Sequence, residues 1–162
     1  MWSPWRSQYI ATFKNPPRKG RNKRSLFTAA LRANDDDAQL IVWRGKHCFV
    51  IMKRFPYNSG HVMIVPYRQT GAFEDLNPAE LAEIMQTAQR AIRALRKVMR
   101  PQGFNFGANI GRVSGAGVDD HIHFHVVPRW SGDTNFLPVL ADTKVISEDM
   151  KDTLKKLRKA FS

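Results

Sequence analysis

The sequence predicts an α+β domain: a five-stranded antiparallel sheet with one long helix and a C-terminal helix on one face. Three observations carry this. Five short runs rich in Val, Ile, Phe and Met are bounded by Gly, Pro, Asn or Asp, as strands are. Between the third and fourth run, Leu81, Ile84, Met85, Ala88, Ile92, Leu95 and Met99 recur at helical spacing. The strands come as near neighbours, without a helix between each pair, which suits antiparallel pairing with helices layered on the sheet. At 162 residues the chain is expected to form a single domain, 1–162.

The elements follow in order. Residues 14–24 carry Pro16-Pro17, Gly20 and a run of like charges, so an irregular basic segment is expected. Leu26–Arg32 reads as a short helix and Asn34–Asp37 as a loop. Gln39–Trp43 and His47–Met52 flank Arg44-Gly-Lys46 and read as a hairpin. Phe55–Gly60 is a loop, and His61–Val65 a third strand stopped by Pro66. Asn77 is a good N-cap, Pro78 suits the first helical position, and Glu80 completes a capping box. Pro101 ends that helix. Phe104–Ile110 reads as strand four and His121–Val127 as strand five, ending before Pro128. A last helix, about 147–160, buries Met150, Leu154, Leu157 and Phe161.

Composition narrows the function. Hydrophobic residues are 43% and charged residues 25%, ordinary for a globular chain. No apolar run approaches the roughly 20 residues of a membrane helix, and the N-terminus lacks an apolar signal region, so a cytoplasmic location is expected. Cys48 is alone, which excludes an intramolecular disulfide and a cysteine-based metal site; it is expected to be a small buried side chain. The net charge is +12, which attracts polyanions: nucleic acid, anionic membrane or phosphorylated small molecules. Arg6, Lys14, Arg18, Lys19, Arg21, Lys23, Arg24 and Arg32 concentrate it in an acid-free N-terminal stretch. Lys14–Arg24 has no interleaved aromatic, so nucleic-acid binding is weakly supported and a solvated arm that attracts anionic ligands is the plainer reading.

The chemistry lies in Asn109–Arg129. On a strand, His121, His123 and His125 share one face while Ile122, Phe124 and Val126 take the other. A lone core histidine is commonly satisfied by one hydrogen bond; three in alternation ask for a function. One is metal binding, though the first and third imidazoles would stand about 13 Å apart on a straight strand. The other is phosphorus chemistry, in which an imidazole nitrogen attacks a phosphoryl group and neighbouring imidazoles stabilise charge. Gly111, Gly115 and Gly117 upstream favour the second, because glycine lets backbone N–H groups approach phosphate oxygens.

His121-Ile-His-Phe-His-Val-Val127 resembles the motif of the histidine triad family, three histidines alternating with apolar residues. Trp2-Ser-Pro-Trp-Arg6, Pro56-Tyr-Asn-Ser-Gly-His61, Asn109-Ile-Gly111 and Pro128–Phe136 resemble its diadenosine polyphosphate hydrolase and phosphorylase branch. The resemblance covers most of the chain. It implies cleavage of nucleotide phosphoanhydride or phosphoramidate bonds through a nucleotidyl-histidine. His123 would be the nucleophile and His125 the contact to the α-phosphate. His121 would support the nucleophile, helped by His61, and Asn109 would stand beside the α-phosphate. Gly115 and Gly117 would offer backbone N–H groups. The resemblance also implies a homodimer with a shared sheet; Trp130 is an aromatic of the kind enriched at interfaces. No catalytic metal or cofactor is required, and magnesium would enter only with the polyphosphate. A nucleotidyl hydrolase or transferase acting on nucleotides such as dinucleoside polyphosphates is the first expectation; a phosphorylase, using phosphate in place of water, is the alternative, and a nucleotide-binding module with little turnover is another.

Three positions depart from the family pattern. Ser25-Leu-Phe-Thr28 stands where many relatives carry a zinc-binding Cys-x-x-Cys. Lys53 stands where relatives place an Asn or Asp that accepts the ribose hydroxyls; lysine only donates. Gly115-Ala-Gly117 stands where many relatives have Gln or Ser.

Overall fold

The fold is described from a computed structural model covering residues 24–133 and 148–161. The basic segment up to Lys23, the Trp2–Arg6 block and the last residues of the Pro128–Phe136 block lie outside them. Strands β1 (Ile41–Arg44), β2 (Cys48–Met52), β3 (Val62–Pro66), β4 (Gly103–Ala108) and β5 (Phe124–Arg129) form one sheet in the order β1-β2-β3-β5-β4. Every pairing is antiparallel. Helix α1 spans Leu26–Arg32, α2 Pro78–Met99 and α3 Met150–Phe161. The α+β expectation holds, with strand ends shifted by at most three residues.

Helices α2 and α3 pack on one sheet face and on each other. Their core joins Val50, Val62, Ile64, Phe124 and Val126 to Ile84, Leu95, Leu157 and Phe161. α2 begins as its sequence dictates. Asn77 Oδ1 accepts the Glu80 N–H at 2.9 Å, and Glu80 returns a carboxylate to the Asn77 N–H at 2.9 Å. Arg68 pairs with that carboxylate at 2.7 Å and holds its pKa below the usual carboxylate range.

The helices do not all share one face, contrary to the expectation from the sequence. The short α1 covers part of the other face, where Phe27 and Ala30 meet Ile41, Phe49, Ile51, Met63 and Val65. β2 and β3 are therefore buried on both faces, which explains their unbroken apolar runs. Cys48 is fully buried, and burial pushes its thiol up to about 11.

Neither proline ends its strand early. Pro66 is the last residue of β3, and Pro128 lies inside β5 opposite Phe104. β5 pairs with β3 only as far as Val126. The Pro128 carbonyl points to that unladdered side and accepts from Asn58 Nδ2 at 3.1 Å, so the proline removes no ladder donor.

Candidate active site

The triad sits where β5 begins. His125 lies in the ladder opposite Met63, but His121 and His123 precede the strand, which starts at Phe124. The expected strand His121–Val127 is thus shorter at its start. The alternation survives: Ile122, Phe124 and Val126 enter the α2–α3 core, and the histidines take the face of α1. All three, and His61, are buried.

Two chains of hydrogen bonds set the protonation of the imidazoles. In the first, the Tyr57 backbone N–H donates to His61 Nδ1 at 3.1 Å. His61 Nε2 then carries the proton and donates to His125 Nδ1 at 2.9 Å. The remaining nitrogen, His125 Nε2, holds the proton of a neutral ring. It is buried and has no hydrogen-bond partner among the described residues. In the second, His123 Nδ1 lies 2.9 Å from the His121 carbonyl, which can only accept. His123 Nδ1 is therefore protonated and Nε2 carries a lone pair. His121 Nε2 donates to the Pro66 carbonyl at 2.8 Å, and its Nδ1 lies 2.6 Å from Ser25 Oγ.

Electrostatics agrees with neutral rings. Burial lowers all four pKa values. With the neighbouring imidazoles and Lys53, it takes His125 down to about 3 and His61 to about 2. Burial and Lys53 also lower His123, against the raising effect of the His121 carbonyl.

His123 and His125 line a cavity of about 350 Å³. Phe27, Ile51 and Met63 form an apolar wall, and Lys53, Tyr57, Asn109, Gly115 and Gly117 also line it. The structure thus brings together the expected site residues His123, His125, Lys53, Asn109, Gly115 and Gly117. Lys53 Nζ stands 5.3 Å from the Tyr57 ring centroid. Asn109 Nδ2 donates to the Gly115 carbonyl at 3.4 Å, tying the two across the loop. Gly115 has φ of 91°, a left-handed conformation that favours glycine.

Three expectations change. His61 does not help His121; its ring backs His125. The shared strand face of the three histidines suggests an imidazole on each side of His123, but only His125 flanks it, 4.9 Å away by centroid, and Phe27 packs on the other flank at 5.0 Å. The Gly115 N–H is not open to a phosphate, because it closes a turn onto the Arg112 carbonyl at 3.1 Å. Ser25 and Tyr57 were not expected as partners of the cluster. Ser25 is recognisable in the sequence as an N-cap, but nothing there aims its hydroxyl at a residue 96 positions away.

Residues 35–132 match the HIT domain family model. The chain belongs to the HIT domain family. It is 41% identical over 155 residues to the AP-4-A phosphorylase of Mycobacterium tuberculosis, spanning 94% of this chain and 79% of that protein. It is 28% identical over 93 residues to the asymmetrical bis(5'-nucleosyl)-tetraphosphatase of Schizosaccharomyces pombe, spanning 57% of this chain and 50% of that protein. A zinc-bound histidine triad family protein from Mycobacterium smegmatis superposes with a TM-score of 0.68 at 25% identity, covering 85% of this chain and 92% of that one. A Hit-like protein from Bartonella henselae shares the fold, with a TM-score of 0.69 at 19% identity, covering 86% of this chain and 98% of that one. In the HIT chain described here no helix of the described residues is long and apolar enough to cross a membrane.

Proposed function

We propose that this HIT protein is a nucleotidyltransferase that cleaves dinucleoside polyphosphates through a nucleotidyl-His123 intermediate and passes the nucleotidyl group to inorganic phosphate. One observation carries the reading. On a single cavity wall, His123 offers an unprotonated Nε2 beside a buried His125 Nε2–H with no partner among the described residues. The first is a nucleophile. The second is a donor for an oxygen whose charge grows during attack, and a dry site strengthens such a bond.

With diadenosine tetraphosphate the steps balance. His123 Nε2 forms a bond to the α-phosphorus as the bond to the bridging oxygen breaks, and ATP leaves. An oxygen of hydrogen phosphate then attacks the same phosphorus, the P–N bond breaks, and ADP leaves. The hydroxyl proton of the attacking phosphate passes to solvent, and His123 returns to its neutral form. Asn109, which lines the same cavity, would stand beside the α-phosphate. Lys53 contributes positive charge for the phosphate chain in place of a ribose acceptor. Gly117 keeps the loop close to the phosphates. This chain's residues carry both steps, and magnesium is expected only as a companion of the polyphosphate.

Between water and phosphate, which the sequence left open, phosphate is preferred because the similarity to the AP-4-A phosphorylase spans 94% of the chain. Hydrolysis stays as the second reading, supported by the shorter likeness to the tetraphosphatase. Incubation with diadenosine tetraphosphate, with and without phosphate, decides. ADP and ATP formed only with phosphate are expected. AMP and ATP formed equally without it would establish hydrolysis. Tight binding with no products would indicate a binding module.

A further inference from the structure

We propose that Ser25 is a positioning residue for the nucleophile: its hydroxyl holds in place His121, whose tautomer the Pro66 carbonyl sets and whose own carbonyl in turn holds His123. The proposal rests on the nucleotidyl-transfer reading above and adds to it a residue from α1.

The need for such a residue follows from the topology. His121–His123 lies outside the β5 ladder, so regular strand pairing does not hold the nucleophile. What holds the segment is the Ile122 N–H on the Thr70 carbonyl at 2.6 Å and the two ring nitrogens of His121. Ser25 satisfies one of these nitrogens at 2.6 Å, and both residues are buried.

The directions of the bonds around Ser25 follow from groups that can only accept or only donate, apart from its 3.2 Å contact with the Thr28 hydroxyl, where either oxygen could donate. Asp120 accepts from Gln69 Nε2 at 3.3 Å, so Gln69 turns its Oε1 inward. That oxygen accepts from the Ser25 N–H at 3.1 Å and the Thr28 hydroxyl at 3.2 Å. The Thr28 proton is thus committed to Gln69. Ser25 Oγ accepts the Thr28 N–H at 3.1 Å, as an N-cap does. Of the two acceptors within reach of its own proton, Thr28 Oγ1 at 3.2 Å and His121 Nδ1 at 2.6 Å, the imidazole nitrogen is the nearer and takes it. At the far side of the ring, the Pro66 carbonyl demands a proton on Nε2. His121 is therefore locked as the neutral Nε2–H form. Its carbonyl takes the proton of His123 Nδ1 and leaves His123 Nε2 for attack. Phe27, two residues along α1, packs edge-on against His121 at 5.4 Å and against His123 at 5.0 Å. One helix turn thus steadies both rings.

The test uses the full chain with Ser25→Ala and Ser25→Thr. A misplaced reacting group of about 1 Å costs about 10²-fold in rate, so Ser25→Ala is expected to lose kcat by that order. Single-turnover formation of the nucleotidyl-enzyme should fall in parallel, with KM nearly unchanged because Ser25 does not line the cavity. Ser25→Thr is expected to recover most of the rate, since threonine can cap α1 and donate to His121. Long-range proton–nitrogen spectra of the substrate-free protein should show His121 as Nε2–H and His123 as Nδ1–H. In folded Ser25→Ala, His123 should lose its single tautomer. A folded Ser25→Ala with the wild-type rate overturns the proposal, as does Ser25→Thr failing equally. So does a wild-type spectrum with His121 protonated at Nδ1, which decides the matter even if Ser25→Ala does not fold. If wild type forms no nucleotidyl-enzyme, the parent reading fails, and the spectra still judge Ser25.

Discussion

Each imidazole of the cluster is defined by what its other nitrogen touches. His61 receives a backbone proton and so must donate to His125; His123 must donate to a carbonyl and so keeps a lone pair. This arrangement needs neutral rings, and it links stability to pH. The folded pKa values of His61 and His125, about 2 and about 3, lie below the unfolded value of about 6.5. The unfolded chain therefore binds more protons as pH falls below about 6.5, and stability is full above that value and drains away toward the folded values. Each such histidine contributes a slope of up to about 1.4 kcal/mol per pH unit in this window. Denaturant titrations at about pH 7 and about pH 5 are expected to show a large loss at the lower pH, reduced in His61→Gln. Equal stability at both would contradict the neutral, buried assignment.

At the scale of elements, periodicity carried most of the fold. The α2 repeat and its Asn77-Pro78-x-Glu80 start are local patterns, and they formed where expected. Asn77→Ala removes the cap and is expected to cost about 1 kcal/mol, or roughly 2–4 °C in melting temperature. kcat should be untouched, because the cap lies in neither the cavity nor the histidine network; a thermal melt beside a turnover assay checks both. The strand alternation correctly separated His121, His123 and His125 from Ile122, Phe124 and Val126. It could not tell that the ladder begins only at Phe124, since that depends on where β4 stops, at Ala108 opposite Phe124. The pairing of His61 with His125 rather than His121 was likewise hidden: it depends on register across two strands. The face chosen by α1, and with it Ser25 and Phe27, was hidden for the same reason, because a seven-residue helix carries too little pattern to say what it packs against.

For the molecule as a whole, β4 is an edge strand of the sheet among the described residues. Phe106, on that strand, and Ile110 and Val113, beyond it, are exposed apolar side chains. An edge strand with apolar neighbours suits pairing with a second copy, and the homodimer expected from the family resemblance would use it. Sedimentation at micromolar concentration is expected to give a species of twice 18.6 kDa; a single 18.6 kDa species contradicts it. The charge of +12 suits a polyphosphate ligand, and Lys53 brings one of those charges into the cavity beside His123 and His125.

The central claim is that His123 carries the nucleotidyl group between two half-reactions. Its most direct measurement is the intact mass of the protein quenched during turnover of diadenosine tetraphosphate, with acid avoided because a phosphoramidate is labile there. Wild type is expected to gain the mass of one adenylyl group, mapped to His123 and discharged when phosphate is added. His123→Gly is expected to show no adduct. An adduct mapped to another residue, or turnover of wild type with no adduct in rapidly quenched samples, would contradict the account.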